Sequence, residues 1–316
     1  MKQFETVPVF FACDEHYVPY LAVAIRSLVA NASPARSYRI HVLNTGISPA
    51  HVKRIESLAV PHVEIVFIDM QEAIAPVAAH FSLRDYYTFS IYYRLFIPSM
   101  FPQYDRAVYL DCDLVVDSDI ADLYDTDLGD SLAGVVTDRI VEDAPPLQTY
   151  VEEAVGVPAS GYFNSGVMLL NLSAFREAKV EQTFVDLLTA HAFPTVAPDQ
   201  DYLNYICCGR VTYLPRTWNL MYSAKPTEET PRIIHYNMFL KPWHYDGVPF
   251  ADRFWHYAKE VDYHPEILAG YRNYSEEAKA NDALAGDRMV TSAAAIIVGK
   301  NTFAKVLGKK RREATV

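Results

Sequence analysis

Glycine is scarce in this 316-residue chain, twelve in all, and the twelve are scattered. They form no Walker A loop, no G-x-S-x-G elbow and no G-x-G-x-x-G turn, which sets aside P-loop nucleotide hydrolysis, the hydrolase nucleophile and dinucleotide binding. Cysteine is scarcer: Cys13, Cys112, Cys207 and Cys208. Two are adjacent, and none has the spacing of a zinc knuckle or a C-x-x-C pair. The expectation is a reducing compartment and no structural disulfide. Long apolar runs are missing. The longest candidate, residues 293–299, falls far short of the roughly 18 residues that a span needs. The opening MKQFETVPVFFA lacks the basic-then-apolar layout of a secretory signal, so the sequence reads as a soluble cytoplasmic protein. Positive charge is short as well: 28 Lys+Arg against 39 Asp+Glu give a net −11. That excess argues against nucleic acid as a partner, because neutralising phosphates needs a positive face. What remains, 51% hydrophobic and 21% charged, excludes a disordered or fibrous chain.

The charge is uneven. Beyond residue 298, Lys300, Lys305, Lys309, Lys310, Arg311 and Arg312 face one acid, Glu313. Ahead of that basic end, strand-like and helix-like runs alternate. Val7 to Ala12, Arg39 to Leu43, Val63 to Ile68, Ala107 to Leu110 and Leu132 to Val136 read as strands. Tyr17 to Val29, Pro49 to Leu58 and Thr88 to Phe96 read as helices. Repeated βα units predict an open, mainly parallel α/β sheet flanked by helices. After residue 160 the rhythm loosens: a strand at Val167 to Leu170, a helix from Ser173 to Leu188, and short segments at Asp199 to Ile206, Val211 to Leu214 and Ile233 to Tyr236. One domain over residues 1–270 with a helical basic tail over 271–316 is the expected division.

The run Ala107-Val108-Tyr109-Leu110-Asp111-Cys112-Asp113 is an apolar strand ending in two carboxylates two residues apart. Residues i and i+2 of a strand share a side, and the carboxyl ends of open α/β sheets are where ligands bind. Two hard oxygen donors aimed at one point suit Mn²⁺, or Mg²⁺, holding a diphosphate. The plain alternative is a turn whose aspartates cap backbone amides. Asp111-Cys112-Asp113-Leu114-Val115 also fits the nucleophile motif of haloacid-dehalogenase-like phosphatases, although that motif opens its domain and here three strands precede it.

Five further segments stand in order along the chain: Phe10-Phe11-Ala12-Cys13-Asp14-Glu15-His16-Tyr17; Ser90-Ile91-Tyr92-Tyr93-Arg94-Leu95; Tyr162-Phe163-Asn164-Ser165-Gly166; Pro198-Asp199-Gln200-Asp201; and His235-Tyr236-Asn237-Met238-Phe239-Leu240-Lys241-Pro242-Trp243. Each alone has a structural reading: acidic residues at helix N-termini for the first and fourth, a surface ion pair for Arg94, a turn entering a strand for the third, and a strand-end histidine for the fifth. As an ordered set with the D-x-D, from Val7 to Trp243, they resemble glycosyltransferase family 8, the retaining, UDP-sugar-dependent group that includes bacterial lipooligosaccharide galactosyltransferases and glycogenin.

The resemblance implies a glycosyltransferase A (GT-A) fold and a hexosyltransferase that takes UDP-glucose or UDP-galactose as donor and a saccharide or glycolipid hydroxyl as acceptor. It implies that Ala12 and Asp14 hold the uracil while Tyr17 stacks on it, with His16 in place of the asparagine seen in some members. Arg94 and Asn164 would bind the donor, and Gly166 would let the backbone approach it. Asp199 and Gln200 would lie beneath the reacting sugar, with Gln200 near the anomeric carbon. Asp111, Asp113 and His235 would hold Mn²⁺, and Lys241 the diphosphate. Met238 stands where many members have glycine. Asp138 is a candidate for acceptor contact. A catalytically silent UDP-sugar binder is the third reading beside the transferase and the phosphatase.

In the tail, Ile296, Phe303, Val306 and Leu307 recur at helical spacing, with Lys300, Lys305 and Lys309 mostly off that stripe. A basic amphipathic helix lies in the plane of an anionic membrane, so peripheral contact through residues 296–312 is one reading; a disordered, solubilising tail, its helix weakened by Gly299 and Gly308, is the other.

Overall fold

The structure is a computed structural model and describes residues 6–80, 89–223 and 229–310. Strand β1 (Thr6–Ala12) is buried on both faces, as a central strand covered by helices on each side requires. Its alternation sends Val7, Val9 and Phe11 into one apolar cluster and Phe10 into the other. Strands β2 (Ser37–Asn44) and β3 (Val63–Asp69) add in parallel on one edge, and β4 (Arg106–Leu110) adds in parallel on the other. With β6 (Ala133–Thr137), β7 (Phe163–Asn171) and β8 (Val211–Tyr213) the order is β3-β2-β1-β4-β7-β6-β8. Only β7 runs against its neighbours. The helix Val18–Asn31 covers one face with Leu21, Ala24, Ile25 and Leu28, all buried. The result is a mainly parallel sheet flanked by helices, as the alternation of strands and helices along the sequence predicts.

A second, three-stranded sheet is small and decisive for the site. β5 (Leu114–Val116) follows the D-x-D directly and pairs antiparallel with β10 (Ile233–His235), which pairs in parallel with β9 (Leu220–Met221).

Several boundaries differ from expectation. β7 starts at Phe163, not Val167, so Asn164, Ser165 and Gly166 belong to a strand. The helix read from Ser173 to Leu188 is two, Leu172–Glu177 and Val180–His191, parted at Lys179 with φ +52°. Phe89–Phe96 is a 3-10 segment, and Thr88 lies outside the described residues.

The tail does not stand apart. After the helix Glu276–Val298 the chain breaks at Gly299 and turns into Phe303–Val306. Phe303 is 1% exposed, its ring centroid 4.2 Å from Phe193, 4.8 Å from Tyr202 and 5.2 Å from Tyr205. Ile296 is buried in the same cluster. The expected contact of residues 296–312 with a membrane is unsupported: half of the apolar stripe faces the protein's own core, and Val306 and Leu307 are its exposed members. The charges are engaged too: Lys305 Nζ donates to the Ile297 and Gly299 carbonyls, Lys309 pairs with Glu153 at 2.8 Å, and Lys310 lies 4.8 Å over the Tyr205 ring. Arg311 and Arg312 lie outside the described residues. No described helix is long and apolar enough to cross a membrane.

Candidate active site

After β1 the chain runs outward to β2 and β3, then returns to lay β4 on β1's other edge. The crevice at the carboxyl ends of β1 and β4 is thus a switch point of the sheet, where ligands bind in open α/β folds. Asp111 leaves β4 there, its N–H donating to the Gly166 carbonyl of β7 at 2.8 Å. The β5–β10 ladder sets His235 opposite Leu114 and so beside Asp113. His235 Nε2 lies 3.1 Å from Asp113 Oδ1 and 3.9 Å from Asp111 Oδ2. One ligand atom from each of Asp111, Asp113 and His235 falls within 4.8 Å of the others. Two carboxylates and an imidazole are a fitting donor set for Mn²⁺ or Mg²⁺. Lys241, buried, contacts Asp113 and the Tyr236 carbonyl. Burial would raise the Asp113 carboxyl, but Lys241 and His235 beside it hold it well below the usual range.

Arg94 is not a surface residue. It is 4% exposed and bridges two carboxylates, Asp111 at 2.9 Å and Asp199 at 3.2 Å, while donating to the Ser165 carbonyl. Its guanidinium lies 4.2 Å from the Tyr109 ring centroid, and the Tyr109 hydroxyl donates to Asp111 Oδ1 at 3.0 Å. Burial opposes the charge on Arg94, but the two carboxylates prevail and push its pKa up. Asp199 opens the helix Pro198–Cys207 without capping it. Burial raises its carboxyl against the pull of Arg94. Gln200 Oε1 accepts from the Ser165 N–H at 3.0 Å, and its Nε2 donates to Asp138 at 3.0 Å. Asp201 takes the structural role that Asp199 was weighed for. It accepts from the Val196 and Ala197 N–H groups and from the Tyr150 and Tyr162 hydroxyls, the latter two at 2.6 Å. Burial still pushes it up to about 6.

Asn164 is buried between Asp138, 3.1 Å from its Nδ2, and the Gly166 N–H, 2.9 Å from its Oδ1. Asp138 is itself 4% exposed and caps the helix Arg139–Asp143. At the other end of the crevice, Asp14 Oδ1 accepts from the His16 and Tyr17 N–H groups. The helix-end reading thus holds for one oxygen and leaves Oδ2 for other partners. Tyr17 is half-buried, edge-on to Tyr20 and to Trp243. Burial and the nearby Asp113 raise its hydroxyl's pKa well above the ordinary value. Ala12 is half-buried at the end of β1.

Reading by sequence missed three residues that hold the site together. Ser165 contacts Arg94, Asp199 and Gln200. Asn204 clamps the helix Pro198–Cys207 to β7 by exchanging 2.8 Å hydrogen bonds with the Phe163 backbone. Asn219 binds His235 Nδ1 at 2.9 Å. Ser165 lies in a segment that the sequence singles out without giving this residue a role, while Asn204 and Asn219 lie in no motif and their partners Phe163 and His235 stand far off along the chain. Met238 adopts φ +59°, a conformation in which a side chain is strained and glycine is not.

Comparison with known proteins follows this geometry. A sequence model of glycosyl transferase family 8 matches residues 8–247. General stress protein A of Bacillus subtilis is 28% identical over 279 residues, covering 81% of this chain and 94% of that protein. A lipopolysaccharide 1,2-glucosyltransferase of Escherichia coli is 26% identical over 256 residues, covering 76% of this chain and 74% of that protein. Among solved structures, galactosyltransferase LgtC in complex with donor and acceptor sugar analogs superimposes with TM-score 0.68 at 28% identity, over 84% of this chain and 100% of that one. The WbbM bifunctional glycosyltransferase superimposes with TM-score 0.74 at 25% identity, over 86% of this chain and 53% of that one.

Proposed function

Because the chain belongs to glycosyl transferase family 8, we propose that it moves a hexose from UDP-glucose or UDP-galactose to a saccharide or glycolipid hydroxyl, with retention, in cytoplasmic assembly of cell-surface glycans. The observation that carries this reading is the convergence of Asp111, Asp113 and His235 at the sheet's switch point. In it, Asp111, Asp113 and His235 hold Mn²⁺, with Mg²⁺ as second choice. When bound, the ion neutralises charge on the diphosphate leaving group. The Lys241 ammonium, released from Asp113, moves to a phosphate oxygen and stabilises the departing UDP from a second side. Tyr17 stacks on the uracil, Asp14 and the Ala12 backbone bond its edge, and Arg94 and Asn164 orient the sugar.

Retention in glycosidases uses a carboxylate close beneath the sugar. Here Gln200, an amide and a poor nucleophile, takes the nearest place, and Asp199 is tied to Arg94 at 3.2 Å and to the Ser165 hydroxyl at 3.0 Å. That pairing favours front-face attack: the departing phosphate takes the acceptor's proton, and Gln200 Oε1 faces the oxocarbenium-like centre. A covalent route through Asp199 would first have to break the Arg94 pair. The match to glycosyl transferase family 8 over residues 8–247 gives the phosphatase reading no support.

A panel of UDP-sugars tests the proposal. Mn²⁺-dependent hydrolysis of one donor is expected, lost in Asp113→Ala and His235→Ala. Release of phosphate from simple monoesters without UDP would overturn it.

A further inference from the structure

A site lysine is placed by the backbone that carries it, and the Lys241 backbone sits in a turn: its carbonyl accepts the His244 and Tyr245 N–H groups, each at 3.0 Å. Ahead of the turn the chain has little support. Residues 237–240 are neither helix nor strand, Met238 is left-handed and Leu240 is exposed. One anchor of the turn is Trp243, whose ring is 1% exposed, stacks on Tyr20 with centroids 4.1 Å apart and lies 5.6 Å from Lys241 Nζ. The second anchor lies beyond residue 247, where the family match ends. The helix Glu276–Val298 buries Ala285, Ala293 and Ile296, and with them Asp282. A buried carboxyl is costly unless hydrogen bonds satisfy it. Asp282 Oδ2 accepts the Tyr245 and Tyr274 hydroxyls, each at 2.7 Å. Tyr274 in turn stacks on His244, with ring centroids 3.7 Å apart and planes at 6°. Two successive residues of the turn are thus fastened to one carboxyl oxygen, Tyr245 directly and His244 through Tyr274.

We propose that Asp282 is a positioning residue for the donor site: from the C-terminal helix it clamps the turn 241–245 and so holds Lys241 where the diphosphate binds. Asp282 is 6% exposed, so water competes little for its oxygens. It acts through Tyr245 and Tyr274, and its effect on the donor passes through Lys241. The clamp rests on the transferase reading only for that role of Lys241; the fastening of the turn does not depend on it. Residues 271–298 thereby serve the site from outside the segment in which its motifs lie.

Two measurements on the full-length protein test it. Hydrogen exchange without ligand reads the clamp. In Asp282→Ala the His244 and Tyr245 amides are expected to exchange about 10-fold faster, and in the milder Tyr245→Phe by a smaller factor, while the amides of β1 and β4 keep their rates. Calorimetric titration with UDP in the presence of Mn²⁺ reads the consequence. Affinity is expected to fall about 10-fold in Asp282→Ala, and the same change made on top of Lys241→Met is expected to cost less than about 2-fold. Unchanged exchange at His244 and Tyr245 in both variants overturns the proposal. So does faster exchange throughout β1 and β4, which marks a general loss of stability, and so does an equal loss of UDP affinity in both backgrounds. Should Asp282→Ala fail to fold, Tyr245→Phe carries both measurements. If Lys241→Met alone binds UDP as tightly as the wild type, the role given to Lys241 in the transferase reading falls, and the exchange result still decides the clamp.

Discussion

A methyl group at Gly166 would sit 2.3 Å from Cε1 of His235 and 2.6 Å from Asp111 Oδ2. Its φ lies outside the left-handed region, so what the position demands is space. Strand β7 passes so close beneath the site that a hydrogen atom is the largest side chain that fits. Gly166→Ala is therefore expected to keep the fold, because the far ends of two side chains can swing aside. Those ends are the proposed ligands, and Mn²⁺ affinity should drop on the order of 100-fold. Calorimetric Mn²⁺ titration beside circular dichroism checks it, and unchanged affinity would refute the crowding argument.

Arg94 lies buried between Asp111 and Asp199. Removing one partner of a buried ion pair leaves charge uncompensated and costs about 3–5 kcal/mol. Arg94→Met should lose stability of that order in urea unfolding. Arg94→Lys should recover little of it, since a single ammonium cannot fork to two carboxylates and a carbonyl. A stable Lys variant would contradict this.

Asp201 makes stability depend on pH in a defined window. Its folded value of about 6 lies above that of an unfolded aspartate, so the folded chain binds the proton more tightly. The contribution is fully present below about pH 4 and is lost as pH rises through about 6. The stability of wild type minus that of Asp201→Asn should fall by on the order of 3 kcal/mol across that window. A flat difference between pH 4 and 7 would show that the four donors outweigh burial.

Met238 carries φ +59°. Relief of left-handed strain in Met238→Gly is expected to add up to about 1 kcal/mol, reduced by the freedom glycine gains when unfolded. Thermal unfolding reads it. A lower melting temperature would mean that the side chain contributes packing that offsets its strain.

Phe303→Ala should cost about 3–5 kcal/mol, the range for emptying a buried aromatic site. It should also lower turnover, because Tyr202 and Tyr205, which the ring touches, belong to the helix carrying Asp199 and Gln200. A neutral substitution would restore the tail as an independent element.

Strand β1 was legible because β-branched and aromatic residues buried on both faces leave a continuous apolar run. The start of β7 was not: Asn164, Ser165 and Gly166 look like a turn until their partners Asp138, Gln200 and Gly166's neighbours His235 and Asp111 are known. Three-residue strands such as β5 are too short to show a period, yet its pairing with β10 delivers His235. The D-x-D, the histidine and the lysine were readable through their order along the chain. That Arg94 holds two of the acids together was not, since an isolated arginine does not name its partners. The tail's stripe suggests a membrane face, whereas Ile296 and Phe303 lie in the protein's own core; periodicity says that a face is covered and not by what.

Phe303 also imposes a schedule on synthesis. The ring cluster it completes with Phe193, Tyr202 and Tyr205 stays open until residue 303 has cleared the ribosome's exit tunnel. A nascent chain grows by about 5–20 residues per second and folds from its N-terminal side. Every other described element, the whole of both sheets included, has by then been made. The helix that bears Asp199 and Gln200 is thus braced after both sheets have been made, and a ribosome stalled before that point carries a chain in which that helix still lacks its aromatic support.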